Sequence, residues 1–150
     1  MKKYITIVLV STFLYSCRSE FFGVNIETVK YGTSFNECVG YCKHEIEVKS
    51  GDVTYNYTSW IDSLKPISAT ENLSVQTWDS IRNNLNVNSF FQLNEVIGCP
   101  DCADGGAEWL EIFLNNGESH KVTFEHNNEP KELKQYIPTL RILLNKKSLY

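Results

Sequence analysis

Residues 44–58, HEIEVKSGDVTYNYT, decide the fold. Apolar residues occupy every second position in both halves of this stretch, so each half has one apolar face and one polar face, as a half-buried strand does. Between the halves, Ser50-Gly51-Asp52 has the composition of a tight turn, and Gly51 can adopt a positive φ without steric cost. The stretch therefore predicts a β-hairpin with antiparallel strands.

Alternation of apolar and polar residues predicts further strands on both sides of this hairpin. A strand begins at Val24 and runs toward Lys30. A second hairpin joins residues 109–114 to a return strand around residues 122–124, because the Asn-Asn-Gly sequence at 115–117 strongly favours a turn. In residues 109–114 the apolar side chains lie on both faces of the predicted strand and not on one face alone.

Helical spacing of apolar residues appears in two segments. Residues 74–85 predict a helix with Ser74 as N-cap and Trp78 in the core. A stripe from Leu133 to Leu144 predicts a second helix, in which Pro138 removes a hydrogen bond and forces a kink or a restart. Residues 86–94 are predicted to be irregular.

The order of these elements predicts an α+β domain over residues 24–150, with a small antiparallel sheet built from two hairpins and two helices packed on one face. A chain of 150 residues with 42% hydrophobic and 21% charged residues is typical of one globular domain. The formal net charge of −4 leaves no basic surface for phosphates, so nucleic acid is excluded as an expected partner.

The N-terminal residues have the organisation of a signal peptide. Lys2 and Lys3 precede a mainly apolar run over residues 4–15. As a helix this run would extend roughly 18 Å, whereas a bilayer core is about 30 Å thick. Residues 1–16 are therefore expected to be a cleaved export signal and not a transmembrane helix.

The end of this run, Leu14-Tyr15-Ser16-Cys17, resembles the lipobox of bacterial lipoproteins. The resemblance implies cleavage before Cys17, a diacylglycerol thioether on its sulfur and further acylation, for example by palmitate. Acyl chains contribute roughly 0.8 kcal/mol per buried CH₂, so two or three chains hold a protein firmly on a membrane. Residues 17–23 would then be a lipidated tether, and the protein would lie in the cell envelope, on the periplasmic or surface side of an outer membrane.

Four further cysteines form two closely spaced pairs, Cys38 with Cys42 and Cys99 with Cys102. An even count in an exported chain indicates disulfides, of which three connectivities are possible. A local bridge stabilises by about 2 kcal/mol and a bridge over sixty residues by about 4 kcal/mol, but proximity in sequence favours the local bridges. A four-thiolate zinc site and a redox dithiol at Cys99/Cys102 are the alternatives, although no predicted helix follows Cys102 to stabilise a thiolate.

Cys38, Gly40 and Cys42 form a Cys-x-Gly-x-Cys motif ahead of the first hairpin. This motif followed by a hairpin, together with the later Asp104-Gly105 pair, resembles an uncharacterised family of exported bacterial domains, over roughly residues 26–144. The resemblance implies a small α+β lipoprotein domain and carries no activity across.

The remaining polar residues form no recognisable catalytic set. An acidic cluster, Asp101, Asp104, Glu108 and Glu111, fits no calcium loop. Five aromatic residues cluster in the first half of the chain: Tyr31, Tyr41, Tyr55, Tyr57 and Trp60. They either form a recognition surface or fill the core. The expected function is non-catalytic binding or a structural role in the envelope, with a protein or small-molecule partner and without a cofactor or metal site. A redox or zinc protein using the cysteine pairs is the alternative.

Overall fold

The computed structural model describes residues 23–147, so the predicted signal peptide and Cys17 lie outside the described residues. One seven-stranded sheet dominates this part of the chain, in the order β4-β3-β2-β1-β6-β7-β5. The strands are β1 (Ile26–Ser34), β2 (Lys43–Lys49), β3 (Asp52–Thr58), β4 (Ile67–Asn72), β5 (Val96–Ile97), β6 (Ala107–Leu114) and β7 (Ser119–Glu125). The helices are α1 (Val75–Asn83), α2 (Val87–Phe90) and α3 (Ile137–Asn145), and two 3-10 turns lie at Cys102–Asp104 and Lys131–Leu133.

The prediction of a small antiparallel sheet made of two hairpins with two helices is wrong. The sheet has seven strands and is mixed, because β5 pairs in parallel with β7, and the described residues contain three short helices. The two predicted hairpins are present, β2 with β3 and β6 with β7. The strand β1 joins them, since it pairs with β2 on one side and with β6 on the other.

The helices begin at identifiable signals. The Ser74 hydroxyl accepts a hydrogen bond from the Thr77 amide at 3.1 Å, which confirms the predicted N-cap. The helix α1 ends at Asn83, short of the predicted residue 85. Residues 86–94 are not wholly irregular, because the Asn86 side chain caps α2. The predicted restart at Pro138 is confirmed, since this proline lies in the first turn of α3.

The hydrophobic core lies on one face of the sheet, beneath α1 and α3. These helices bury Trp78 and Ile81 from α1 and Leu140 from α3. Strand residues pointing into the same core include Val29, Tyr31, Ile46, Val48, Tyr55, Leu110, Ile112 and Phe124. None of the helices within residues 23–147 has the length and hydrophobicity that a membrane span requires.

Both cysteine pairs are disulfide-bonded, which confirms the predicted disulfides. Cys38 bonds to Cys42 with their Cα atoms 5.6 Å apart, and this bridge closes the connection between β1 and β2. Cys99 bonds to Cys102 with their Cα atoms 5.4 Å apart, between β5 and β6. Each bridge therefore braces a loop and leaves the pairing of the strands to hydrogen bonds and packing.

Replacing Cys38 and Cys42 together by serine is expected to lower the free energy of unfolding by about 2 kcal/mol, because so short a bridge removes little entropy from the unfolded chain. Urea unfolding of oxidised wild-type and variant proteins measures the loss. The Cys99→Ser/Cys102→Ser variant is the matched comparison, with a loss of about the same size. A Cys38→Ser/Cys42→Ser variant that is unfolded without denaturant would contradict the expectation.

Candidate binding surface

The open face of the sheet, which α1 and α3 do not cover, contains a groove where β1 ends. Strands β2 and β6 begin at this end of the sheet, and β3 and β7 finish there. The groove has a volume of about 250 Å³ and is lined chiefly by Ser34, Lys43, Trp60, Trp109, Lys121 and Thr123. We call it the distal groove.

Trp109 forms the floor of the distal groove because its neighbour on β1 is Gly32. The two residues are register partners, and the indole ring occupies the space that a side chain at Gly32 would fill. A Cβ atom at Gly32 would also lie 2.6 Å from the main-chain oxygen of His44. Only glycine therefore leaves room for the Trp109 ring, and this residue is 5% exposed.

Two lysines from opposite sides of Trp109 give the groove its positive charge. The ammonium of Lys43, on β2, lies 5.1 Å from the centre of the indole ring, and that of Lys121, on β7, lies 5.3 Å away. These distances are typical of cation–π contacts. Neither ammonium has a carboxylate within 4.0 Å among residues 23–147. Their charge is therefore available to a ligand.

Trp60 forms one wall of the groove from the loop after β3. Its indole N–H donates to the main-chain oxygen of Phe35 at 2.8 Å, which fixes the ring against the β1–β2 loop. The side chain is nevertheless 53% exposed. A large aromatic group that is held at its polar end and about half exposed is suited to contact a ligand.

A buried carboxylate lies beneath the groove, on the core side of β6. Glu108 is 0% exposed and accepts hydrogen bonds from Tyr31 Oη at 2.8 Å and from the Asn127 amide at 3.0 Å. The Nη2 atom of Arg141 lies 3.0 Å from both Glu108 oxygens. His126 Nδ1 lies 2.9 Å from Glu108 Oε1, at ion-pair distance but without hydrogen-bond geometry.

The charges of this cluster stabilise one another. Burial raises the pKa of Tyr31, and the neighbouring Glu108 charge raises it further, so the phenol stays protonated and donates. Burial acts to lower the pKa of Arg141, but its bonds to Glu129 and Glu108 outweigh burial and raise it. Glu129, 3.0 Å from Arg141, has a lowered pKa because a main-chain hydrogen bond and Arg141 outweigh the opposite effect of burial. The cluster thus fastens α3 to β1 and β6.

The predicted acidic cluster is dispersed in the structure. Glu108 points into the core, whereas Glu111 points to the open face of the sheet. Asp101 accepts a hydrogen bond from the Gly106 amide at 3.1 Å. Within residues 23–147, no three His, Cys, Asp or Glu side chains are grouped closely enough to hold a metal ion.

The lipidation site, the candidate redox pair and the aromatic residues of the first half are the other sites that the sequence predicted. Cys17 lies outside the described residues. The Cys99–Cys102 bridge is followed by a three-residue 3-10 turn containing Ala103 at φ 51°, and not by a helix whose N-terminus could stabilise a thiolate. Among the aromatic residues of the first half, Tyr31, Tyr55 and Tyr57 are buried in the core, whereas Trp60 lies at the surface.

Sequence reasoning missed Lys43, Trp109 and Lys121 as a group, since they lie on three strands that only the register brings together. The one available signal was the apolar side chains on both faces of residues 109–114. No protein-family model matches this sequence, and no curated protein matches it either.

Proposed function

We propose that the chain is a non-catalytic lipoprotein of the bacterial envelope, anchored at Cys17, that binds a ligand in the distal groove. The observation that carries the binding role is the groove itself. It presents an open aromatic ring, Trp60, beside two ammonium groups without carboxylate partners among the described residues, on the face of the sheet that the helices leave open.

The position of the groove suits an anchored binding domain. The tether, residues 17–23, would lead into the start of β1. The nine residues of β1 extend about 30 Å, and the distal groove lies at the far end of this strand. A membrane anchor at Cys17 and the distal groove would therefore lie at opposite ends of the sheet, so the groove would face away from the anchoring membrane.

The buried carboxylate supports a structural role more than a catalytic one. Both oxygens of Glu108 are occupied by Arg141, Tyr31 and the Asn127 amide, and the side chain is closed to solvent. An acid–base catalyst must reach the proton that it transfers. Glu108 therefore serves the fold that positions the groove.

Metabolic labelling with a radioactive fatty acid tests the anchor. The wild-type protein is expected to carry label that resists hydroxylamine on the amide-linked chain, and Cys17→Ala is expected to carry none, because the thiol that accepts the lipid is gone. Label that persists in Cys17→Ala contradicts an anchor at this residue. A wild-type protein that is produced in normal amounts and carries no label contradicts it as well.

Binding of the purified mature lipoprotein in detergent to cell envelopes from which the lipids have been extracted tests the groove, because the acyl chains of the anchor then have no membrane to enter. Trp60→Ala is expected to weaken binding about tenfold, as removal of an aromatic hot spot does. Phe113→Ala is the control, since Phe113 lies on the same sheet face outside the distal groove and is covered by Lys30 at 5.3 Å. Equal binding by the two variants contradicts a role for the distal groove.

A further inference from the structure

We infer that the ligand of the distal groove is an acidic glycan, a saccharide chain that carries carboxylates. This inference rests on the proposed binding role and adds the chemical class of the ligand. Charge, aromatic exposure and position in the sheet each support it.

The charge of the groove selects an anion. The ammonium groups of Lys43 and Lys121 flank Trp109, and within residues 23–147 no carboxylate forms an ion pair with either of them. Glu111 is the register partner of Lys121, and Glu45 lies on the same face two positions after Lys43, but both lie beyond ion-pair distance of these lysines. The Glu125 carboxylate is held by the Cys99 amide at 2.8 Å and by Asn128 at 2.7 Å. The whole chain has a net charge of −4, so this positive area is local and does not come from a generally basic surface.

The uncharged groups of the groove suit a sugar ring. The C–H face of a pyranose packs on an exposed indole, and Trp60 offers one whose N–H is already bonded to Phe35. Ser34 and Thr123 add hydroxyl groups that can exchange hydrogen bonds with those of a sugar. An aromatic wall with a few placed polar groups is the usual lining of a ligand site.

The place of the groove in the sheet argues against an extended peptide. Its strand residues come from β2, β1 and β6, which are paired on both sides, and from β7, which pairs with β6 along its length and with β5 only at Thr123 and Phe124. A peptide that adds as a strand needs a free edge, which this sheet has at β4, at β5 and along residues 119–122 of β7, whereas the floor residue Trp109 lies on β6, inside these edges. Recognition in the distal groove must therefore use side chains alone, as binding of a saccharide does.

A second groove of similar size on the same face serves as an internal control. This proximal groove, about 270 Å³, is lined by Glu27, Thr28, Lys30, Glu47, Lys49 and Phe113. Its lysines are already paired, since Glu47 lies 3.1 Å from Lys30 and 2.5 Å from Lys49. The hydrogen bond from Lys49 outweighs burial and, with Lys30, lowers the pKa of Glu47, so this carboxylate stays charged and retains both lysines.

The test measures binding of polygalacturonate, a polyuronate, and of neutral dextran to the mature lipoprotein in detergent, by calorimetry and by tryptophan fluorescence. Lys43→Gln/Lys121→Gln is expected to weaken polygalacturonate binding at least about tenfold, and Trp60→Ala by a similar factor. The charge-matched control Lys30→Gln/Lys49→Gln is expected to change it less than about twofold. Added salt should weaken binding of the wild-type protein, because part of the attraction is between charges.

Three results would overturn the acidic class. They are dextran binding as tightly as polygalacturonate, the two double-lysine variants losing affinity equally, and the absence of saturable binding of polygalacturonate. If dextran binding is lost in Trp60→Ala, the groove still binds a ligand and only the acidic class fails. If Trp60→Ala also leaves binding to the lipid-extracted envelopes unchanged, the proposed binding role fails as well.

Discussion

Replacing Arg141 by methionine is expected to lower the free energy of unfolding by about 3–5 kcal/mol. Arg141 lies 3.0 Å from both oxygens of Glu108, a carboxylate that is 0% exposed. Methionine retains much of the apolar volume but leaves the Glu108 charge buried without its cation. Removing one partner of a buried ion pair lowers stability more than replacing both partners does. Urea unfolding monitored by circular dichroism measures the loss.

Arg82→Met is the matched control for this substitution. Arg82 pairs with Asp79 at 2.9 Å on α1, where the two side chains are 37% and 44% exposed. A pair so open to water contributes about 0–1 kcal/mol. The double variant Glu108→Gln/Arg141→Met should recover part of the stability, since the amide still accepts from Tyr31 without carrying a charge. A loss in Arg141→Met no larger than in Arg82→Met would refute the role of the buried pair.

Replacing Gly32 by alanine is expected to lower the free energy of unfolding by about 3 kcal/mol, the upper end of the usual range for overpacking. The added methyl would collide with the Trp109 ring and with the main-chain oxygen of His44. The ring can turn away, but a main-chain atom of β2 cannot move without breaking strand pairing. Denaturant unfolding gives the stability, and a change in tryptophan emission reports the displaced Trp109.

Gly117→Ala separates this collision from the general effect of losing a glycine. Gly117 has a φ of +87° and no atom within 4 Å of an added Cβ, so alanine there meets only backbone strain of about 1–2 kcal/mol. Gly117→Ala should also leave tryptophan emission unchanged, because it lies in the β6–β7 turn. A Gly32→Ala variant with wild-type stability and emission would show that Trp109 does not depend on the glycine.

Local signals in the sequence predicted the local structure well. The hairpin around Gly51 and the Ser74 cap depend on neighbours a few residues away, and both are present. The strand β4 was missed because it is an edge strand whose core-side positions include Glu71. This carboxylate is accommodated by Lys147 at 2.8 Å, so the strand does not need a full apolar alternation.

Features that depend on distant partners could not be predicted. Glu108 looks like one more acid near a turn, and nothing beside it in sequence shows that Arg141 will neutralise it in the core. The distal groove likewise depends on the register that brings Lys43 and Lys121 to either side of Trp109. The sequence therefore predicted five of the seven strands within residues 23–147 and the two disulfides, but neither the size of the sheet nor its binding surface.

The central place of β1 sets the order in which the sheet can assemble. As the chain emerges, β1 to β4 can pair as consecutive antiparallel neighbours, but the other edge of β1 stays open until β6 arrives. The contact between Tyr31 and Glu108 spans 77 positions in sequence, and such distant pairings form slowly. During this interval an unpaired apolar strand edge is exposed, which favours aggregation between nascent chains. Fragments that stop before residue 107 keep that edge permanently, so expression of such fragments yields aggregates where the longer chain folds.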